Sequence, residues 1–174
     1  FIRGNHDEWA IKYYNSEMIP NQGTGYYAWA TQGGKETMDS LGTIDTIEKK
    51  YVDFLNTSVY YHELDDLLFV HAGVPLACCV AFGDNNEPVP LSVVPTASFC
   101  WERDMATDLY LSRKNKNYIW GDKFKTIYIG HTPTTRFNSF YKKPKKFANV
   151  WLMDTASAFD GRISIMDIDT EEIT

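Results

Sequence analysis

Apolar runs separated by short turn sequences predict a chain in which strands alternate with helices. Five strands are predicted, at residues 59–64, 67–70, 126–129, 150–153 and 162–167. Asp65-Asp66 separates the first two and favours a tight hairpin. Asp160-Gly161 separates the last two and predicts a closing hairpin. Residues 1–3 have the pattern of the tail of another strand.

Helical periodicity is weaker and predicts three helices, at about residues 8–14, 36–55 and 98–112. Gly42-Thr43 is a point at which the second helix can break. Residues 23–34 are rich in glycine and aromatic residues, which indicates an irregular surface segment. Residues 76–100 mix apolar and turn residues without a clear period, so no elements are assigned to them.

The length and composition indicate one ordinary globular domain over residues 1–174. Apolar residues make up 44% of the chain and aromatic residues 15%, which excludes a disordered protein. The net charge of -6 argues against a nucleic-acid-binding surface. The basic cluster at residues 142–146 is too short to change that, and it is expected to be a solvated loop between two strands.

The cysteines and the absence of long apolar stretches indicate a cytoplasmic protein. Two of the three cysteines, Cys78 and Cys79, are adjacent, which suits neither a disulfide framework nor a zinc knuckle. No apolar run approaches the roughly 18 residues needed to span a bilayer, and no signal peptide is visible. We therefore expect reduced thiols and no membrane partner.

Three histidine sequences stand at turn-like positions beside or near apolar runs: Gly4-Asn5-His6-Asp7, His71-Ala72-Gly73 and Gly130-His131-Thr132-Pro133. Asn5, His71 and His131 offer an amide oxygen and two imidazoles, which suit Mn²⁺, Fe²⁺ or Zn²⁺ better than Ca²⁺. His6 directly follows Asn5, so in an extended loop its side chain diverges from that of Asn5 and can protonate an alkoxide leaving group. A lone histidine at a strand end is more often structural, and His62 is interpreted as cross-strand packing.

Together these sequences resemble the later motifs of calcineurin-like metallophosphoesterases, in the phosphoprotein phosphatase branch. That branch includes bacterial and phage serine/threonine phosphatases and symmetrical diadenosine tetraphosphatases. Further segments are similar in order and spacing: residues 29–41 with Gly33-Gly34, the Trp101-Glu102-Arg103 element, and the closing segment 150–167. The resemblance implies an α/β fold of packed β-sheets flanked by helices.

The resemblance also implies roles for individual residues. Asn5, His71 and His131 would ligate the second metal of a two-metal site, with Mn²⁺ as the first expectation and Fe²⁺ or Zn²⁺ as alternatives. His6 would be the general acid. Arg103 would hold the phosphoryl oxygens, a task suited to a planar guanidinium with forked donors.

The sequence departs from the family pattern in two places. Ala156 stands where the closing segment usually has glycine. The upstream Asp-x-His and Gly-Asp-x-x-Asp-Arg-Gly motifs, which would supply the first metal's ligands, are absent from these 174 residues. We expect the natural protein to extend upstream by one βαβαβ portion, on the order of 60–80 residues, and the fragment alone to be inactive.

The predicted function is that of a metal-dependent phosphoesterase, with a serine/threonine protein phosphatase as the first interpretation. Diadenosine tetraphosphate hydrolysis is the alternative activity, because enzymes with the same motifs catalyse both reactions. A non-catalytic phosphate-binding module with a degenerate metal site is the alternative from another class. The expected partner is accordingly a phosphorylated protein or a dinucleoside polyphosphate. The sequence does not predict the oligomeric state.

Overall fold

The computed structural model describes residues 1–81 and 87–174, which form eight α-helices and five strands. The helices are α1 Asn5–Tyr14, α2 Gly23–Trp29, α3 Lys35–Leu41, α4 Lys49–Asn56, α5 Thr96–Trp101, α6 Asp104–Ser112, α7 Thr134–Phe137 and α8 Ser157–Asp160. The strands are β1 Tyr61–Leu64, β2 Leu67–Val70, β3 Thr126–Ile129, β4 Lys145–Phe147 and β5 Val150–Leu152. No helix in these ranges has the length and apolar character needed to cross a membrane.

The chain divides into two compact units, Phe1–Val59 and Tyr60–Thr174. The first unit contains α1 to α4, and the second contains the strands and α5 to α8. The mixed α/β class expected from the sequence is confirmed. Within residues 76–100, short 3₁₀ turns occur at Leu76–Cys78 and Leu91–Val93, while residues 82–86 lie outside the described part.

The first unit is built around an aromatic core. Trp29 is 1% exposed, and its ring centroid lies 4.6 Å from that of Tyr13. α1 begins at Asn5, three residues before the predicted start. The N–H of Gly4 donates a 2.8 Å hydrogen bond to the Asp7 carboxylate, which fixes this helix start. Asp7, part of the first histidine motif, therefore has a structural role here.

The segment predicted to be irregular is helical except at a kink formed by Gln32 and Gly33. Between α2 and α3 the chain passes through a π-helical turn, Ala30–Gly34, in which Gly33 has φ +102°. Such a positive φ strongly favours glycine. A Cβ on Gly34 would lie 2.4 Å from the Trp29 ring, so the helix can pack closely only without a side chain there.

The long helix predicted over residues 36–55 is interrupted at Gly42, the position at which the sequence allowed a break. α3 ends at Leu41, Gly42 follows with φ +103°, and α4 begins at Lys49. The helix predicted over residues 98–112 is also divided, into α5 and α6. Glu102 has an extended backbone between them (φ -62°, ψ 137°), which leaves Arg103 as the N-cap of α6.

The second unit contains one five-stranded sheet in the order β1-β2-β3-β5-β4. β2, β3 and β5 are parallel, and β1 and β4 are antiparallel edge strands. The β1–β2 hairpin is confirmed, with Leu64 paired with Leu67. β3 is buried along its whole length, as its continuous apolar run predicted. Phe99, Met105 and Leu109 from α5 and α6 belong to the core cluster that includes β3.

The predicted closing hairpin of residues 150–153 and 162–167 is wrong. β5 pairs with β4 on one side and with β3 on the other, so both of its edges are occupied. Residues 162–167 contribute only a single bridge, between Met166 and Ile173. Gly161 takes its left-handed conformation (φ +69°) as the C-cap of α8 and not in a hairpin turn.

The basic cluster at residues 142–146 is only partly a loop, because Lys145 and Lys146 begin β4. Both lysines lie on an edge strand, where a charged side chain discourages pairing with another chain. Residues 1–3 make an isolated bridge, Ile2 with Val59, in place of a regular strand.

The close packing of Gly34 on Trp29 generates a stability prediction. Gly34→Ala should lower the free energy of unfolding by about 1–3 kcal/mol, because the buried indole cannot move aside without strain. Gly25→Ala is the matched control. Its Cβ would meet only Met18 Cε at 3.7 Å, and alanine favours helix, so this variant should be neutral or more stable by up to about 1 kcal/mol. Urea unfolding followed by circular dichroism measures both, and equal effects would contradict the packing argument.

Candidate functional site

His71 and His131 follow the carboxyl ends of two neighbouring parallel strands. β2 ends at Val70, directly before His71, and β3 ends at Ile129, two residues before His131. Because β2 and β3 run in the same direction, the two loops leave the sheet at the same edge, where α/β proteins commonly bind ligands. The Gly130 N–H donates a 2.7 Å hydrogen bond to the His71 carbonyl, which ties the loops together.

The two imidazoles face each other. Nε2 of His71 lies 3.2 Å from Nδ1 of His131, with ring centroids 5.0 Å apart. Two nitrogen ligands about 2.0–2.1 Å from one ion, at angles between octahedral and tetrahedral, stand roughly 2.8–3.4 Å apart. The observed separation suits such an ion. It also suits a hydrogen bond when one of the rings supplies the proton.

The backbone at His131 is held in an unusual conformation. Its φ is +61°, which is uncommon for a residue other than glycine. The Thr132 N–H donates a 2.6 Å hydrogen bond to the Gly130 carbonyl and closes a three-residue turn around the histidine. A conformation of this kind costs on the order of 1–3 kcal/mol and persists where the surroundings fix it. The turn thereby sets the direction of the imidazole.

The Trp101-Glu102-Arg103 element contacts both histidine loops. Nη1 of Arg103 donates to the His131 carbonyl at 3.0 Å and to Oγ1 of Thr132 at 3.2 Å. The Trp101 ring stands edge-on to the His131 ring, with centroids 6.1 Å apart. The element therefore supports the His131 turn from one side.

Glu102 supports the other loop. A Cβ on Gly73 would lie 2.2 Å from Oε2 of Glu102, so a side chain there would displace the Glu102 carboxylate from this position. The Glu102 carboxylate accepts hydrogen bonds from the N–H groups of Met105, at 3.0 Å, and of Asp104. Burial raises the pKa of Glu102, and these two hydrogen bonds act in the opposite direction. The carboxylate fixes the start of α6 and, with it, the position of Arg103.

The surroundings of Arg103 suit an anion. Burial lowers the pKa of its guanidinium, the charge of Arg136 lowers it further, and the carboxylate of Asp154 acts in the opposite direction. Within the described ranges, no acceptor pairs with Nε or Nη2 of Arg103, since its hydrogen bonds are made by Nη1. Three N–H donors next to the histidine pair can therefore bind an oxyanion.

Ala156 adopts a backbone conformation that glycine takes more readily than alanine. Its φ is +70° and ψ +41°, in the left-handed region. Oδ1 of Asp154 accepts a 2.8 Å hydrogen bond from the Ala156 N–H, and the Asp154 carbonyl accepts one of 2.9 Å from Thr134 N–H. These two hydrogen bonds hold the turn at Ala156 in place. Asp154 thereby connects the end of β5 to α7.

Asn5 and His6 belong to the first unit. Asn5 is the first residue of α1 and is 5% exposed, while His6 beside it is exposed, with its ring edge-on to Trp9 at 5.2 Å. The extended loop predicted for these two residues is wrong, because both lie in the first turn of α1. Their roles as metal ligand and acid stay predictions.

The structure brings together three of the five predicted site residues: His71, His131 and Arg103. Within residues 1–81 and 87–174, no group of three or more histidine, cysteine or acidic side chains is placed to hold a metal ion. The imidazole pair supplies two nitrogen atoms, and the predicted metal site stays a prediction. Sequence reasoning missed Arg136 and Thr132, because neither belongs to a pattern with chemical meaning until the turn at His131 is known.

No protein-family model matches the sequence, and no curated protein matches it at a significant level.

The environment of Glu102 generates a pH prediction. The pKa of Glu102 is raised in the folded state, so the folded protein binds the proton of this carboxyl group more tightly than the unfolded protein does. The protonated carboxyl group therefore stabilises the fold at low pH, and this stabilisation is lost as the pH rises from about 4.5 through the folded pKa. Glu102→Gln cannot lose that proton. Its free energy of unfolding relative to the parent protein should therefore increase with pH over this interval, as measured by urea unfolding at a series of pH values. Parallel profiles would contradict the assigned burial of the carboxyl group.

Proposed function

We propose that this protein is a metal-dependent phosphoesterase of the calcineurin-like class that hydrolyses phosphoserine and phosphothreonine in proteins. The observation that supports the proposal best is the pairing of His71 Nε2 with His131 Nδ1 at 3.2 Å, beside Arg103. Imidazole nitrogens in this arrangement suit a transition metal, and a guanidinium suits a phosphoryl group. The proposal includes the fold of that class, in which packed β-sheets are flanked by helices.

When bound, divalent cations supply positive charge and a water molecule of lowered pKa. His71 and His131 contribute neutral nitrogen ligands, and the turn at His131 holds its ring before any ligand arrives. Arg103 uses Nη1 to grip the His131 carbonyl and Thr132. Its remaining donors bind phosphoryl oxygens and stabilise the charge that builds up on them during transfer.

Asn5 and His6 keep the roles that the family resemblance implies. In those roles the Asn5 carboxamide would be a third ligand, and His6 would give a proton to the oxygen of the leaving alcohol. Histidine suits that task because its pKa lies near neutral pH. A serine or threonine alkoxide is a poor leaving group, so protonation matters more for a phosphoprotein than for an aryl phosphate.

Trp101 favours a second candidate, hydrolysis of a dinucleoside polyphosphate. The side chain is 38% exposed, and its ring lies beside the His131 ring. An exposed indole there can stack on a nucleobase, which contributes about 1–3 kcal/mol in nucleic-acid complexes.

A substrate panel on the protein as its gene encodes it, with added Mn²⁺, tests the proposal. The panel contains a phosphoserine peptide, diadenosine tetraphosphate and p-nitrophenyl phosphate. Arg103→Lys should reduce kcat/KM on every hydrolysed substrate by roughly 10–100-fold, because lysine cannot reproduce charge-assisted hydrogen bonds worth about 1.5–3 kcal/mol. Arg113→Lys is the matched control, since Arg113 is exposed at the end of α6 and should tolerate the change.

Further variants separate the roles of the histidines. His71→Ala and His131→Ala should abolish metal-dependent turnover, whereas His62→Ala, an exposed residue of β1, should not. His6→Ala should impair the phosphoserine peptide more than the aryl phosphate. Full activity in His71→Ala or His131→Ala would overturn the proposed site. Binding of the phosphopeptide without turnover would replace the enzyme with a phosphate-binding module.

A further inference from the structure

The loop that carries His131 has a positive charge that the proposed site does not use. Between β3 and β4, residues 130–144 contain three positively charged side chains and no negatively charged one: Arg136, Lys142 and Lys143. The whole chain, by contrast, has a net charge of -6. Because β3 runs parallel to β2, the loop leaves the sheet at the same edge as His71. A basic loop there attracts anions to this edge of an acidic protein.

Hydrogen bonds fix the short helix α7, which carries Arg136. The Thr134 N–H donates to the Asp154 carbonyl at 2.9 Å, so α7 is attached to the segment that follows β5. Oγ1 of Thr134 donates to the Tyr141 carbonyl at 2.8 Å, which ties the start of the helix to the far end of the same loop. Thr134 is fully buried, whereas the Arg136 side chain is exposed. A fixed backbone therefore presents this guanidinium to solvent.

Two guanidinium groups of like charge lie near each other at this edge. Nη1 of Arg103 contacts Oγ1 of Thr132 at 3.2 Å, and Arg136 follows Thr132 by four positions. The charge of Arg136 reaches Arg103, since it lowers the pKa of that guanidinium. Repulsion between like charges is stronger near a protein surface than in bulk water. An anion that contacts both groups would offset this repulsion.

The neighbouring carboxylates do not neutralise Arg136. Asp160 is paired with Lys142, at 3.7 Å, and with Arg162. Asp154 uses Oδ1 to accept a backbone N–H. Within residues 1–81 and 87–174, the Arg136 side chain makes no ion pair and no hydrogen bond. Its five N–H donors are therefore open to a ligand.

We propose that Arg136 binds a second anionic group of the substrate, next to the phosphoryl group that Arg103 holds. The inference rests on the proposed phosphoesterase function and specifies its substrate. The second anion is either the carboxylate of an acidic residue beside the phosphoserine or the neighbouring phosphate of a polyphosphate. A planar guanidinium suits both, because it can donate two hydrogen bonds to one carboxylate or phosphate. Arg136 thus determines specificity, since a substrate with a single anionic group does not reach it.

Paired phosphopeptides test the inference on the protein as its gene encodes it, with added Mn²⁺. One phosphoserine peptide has glutamate on both sides of the phosphoserine, and the other has glutamine at the same positions. Arg136→Gln should lower kcat/KM about tenfold on the glutamate peptide, because it removes charge-assisted hydrogen bonds. It should lower kcat/KM less than twofold on the glutamine peptide and on p-nitrophenyl phosphate.

Lys142→Gln is the matched control. It removes the same charge from the same loop, but Lys142 is already paired with Asp160, so kcat/KM should change less than twofold on every substrate. An equal loss on all substrates in Arg136→Gln would overturn the inference, because a purely structural role predicts that result. Equal effects of Arg136→Gln and Lys142→Gln on the glutamate peptide would also overturn it.

Diadenosine tetraphosphate, measured with the same variants, identifies the source of the second anion. A greater loss on the glutamate peptide in Arg136→Gln assigns the anion to a carboxylate of a phosphoprotein. A greater loss on diadenosine tetraphosphate assigns it to the neighbouring phosphate of a polyphosphate. Unchanged kcat/KM on both of these substrates would overturn the inference.

Anion binding without turnover separates this inference from the proposed function. If the parent protein hydrolyses no substrate of the panel, the proposed function is wrong, and isothermal titration without divalent cations decides the role of Arg136. Pyrophosphate should bind the parent protein about tenfold more tightly than phosphate, and Arg136→Gln should abolish this difference. Equal affinity of the parent protein for the two anions, including no measurable binding of either, would overturn the inference. So would a difference that survives the substitution.

Discussion

The parallel pairing of β2 with β3 is the constraint on which the proposed site depends. Because both strands end at the same edge, two histidines 60 positions apart in the sequence come within 3.2 Å of each other. The hydrogen bond from Gly130 to the His71 carbonyl extends the pairing past the strands and into the loops. Shifting either strand by one residue would turn its histidine toward the other face of the sheet.

A second requirement is that the strained turn at His131 be held in place. Arg103 holds the turn through two hydrogen bonds, to the His131 carbonyl and to Thr132. Its guanidinium is partly buried there, which lowers its pKa. Glu102 positions Arg103 through the start of α6, and Gly73 leaves room for Glu102. The same few residues therefore shape the backbone at the site and present donors to an anion. A substitution at one of these residues would therefore change both the backbone of the site and its proposed chemistry.

Local sequence patterns predicted the elements that depend on local interactions. The β1–β2 hairpin, the buried strand β3 and the break at Gly42 all follow from turn residues and apolar runs within a few positions. The prediction of a closing hairpin failed because both edges of β5 are occupied: β4 pairs with one edge across a two-residue turn, and β3 pairs with the other. The sequence predicted that His71 and His131 bind the same metal, but it did not predict that β2 and β3 are neighbours in the sheet. Neither histidine motif contains information about the strand order. The charge of Arg136 acts on Arg103, which is distant in the sequence, so it had no local signal.

The central claim is that His71 and His131 share one metal ion. Crystals of the protein as its gene encodes it, grown with Mn²⁺, allow an anomalous difference map to be measured at the manganese absorption edge. The account predicts a peak about 2.1 Å from both Nε2 of His71 and Nδ1 of His131. A map in which manganese binds elsewhere, while the two imidazoles stay hydrogen-bonded to each other, would contradict it.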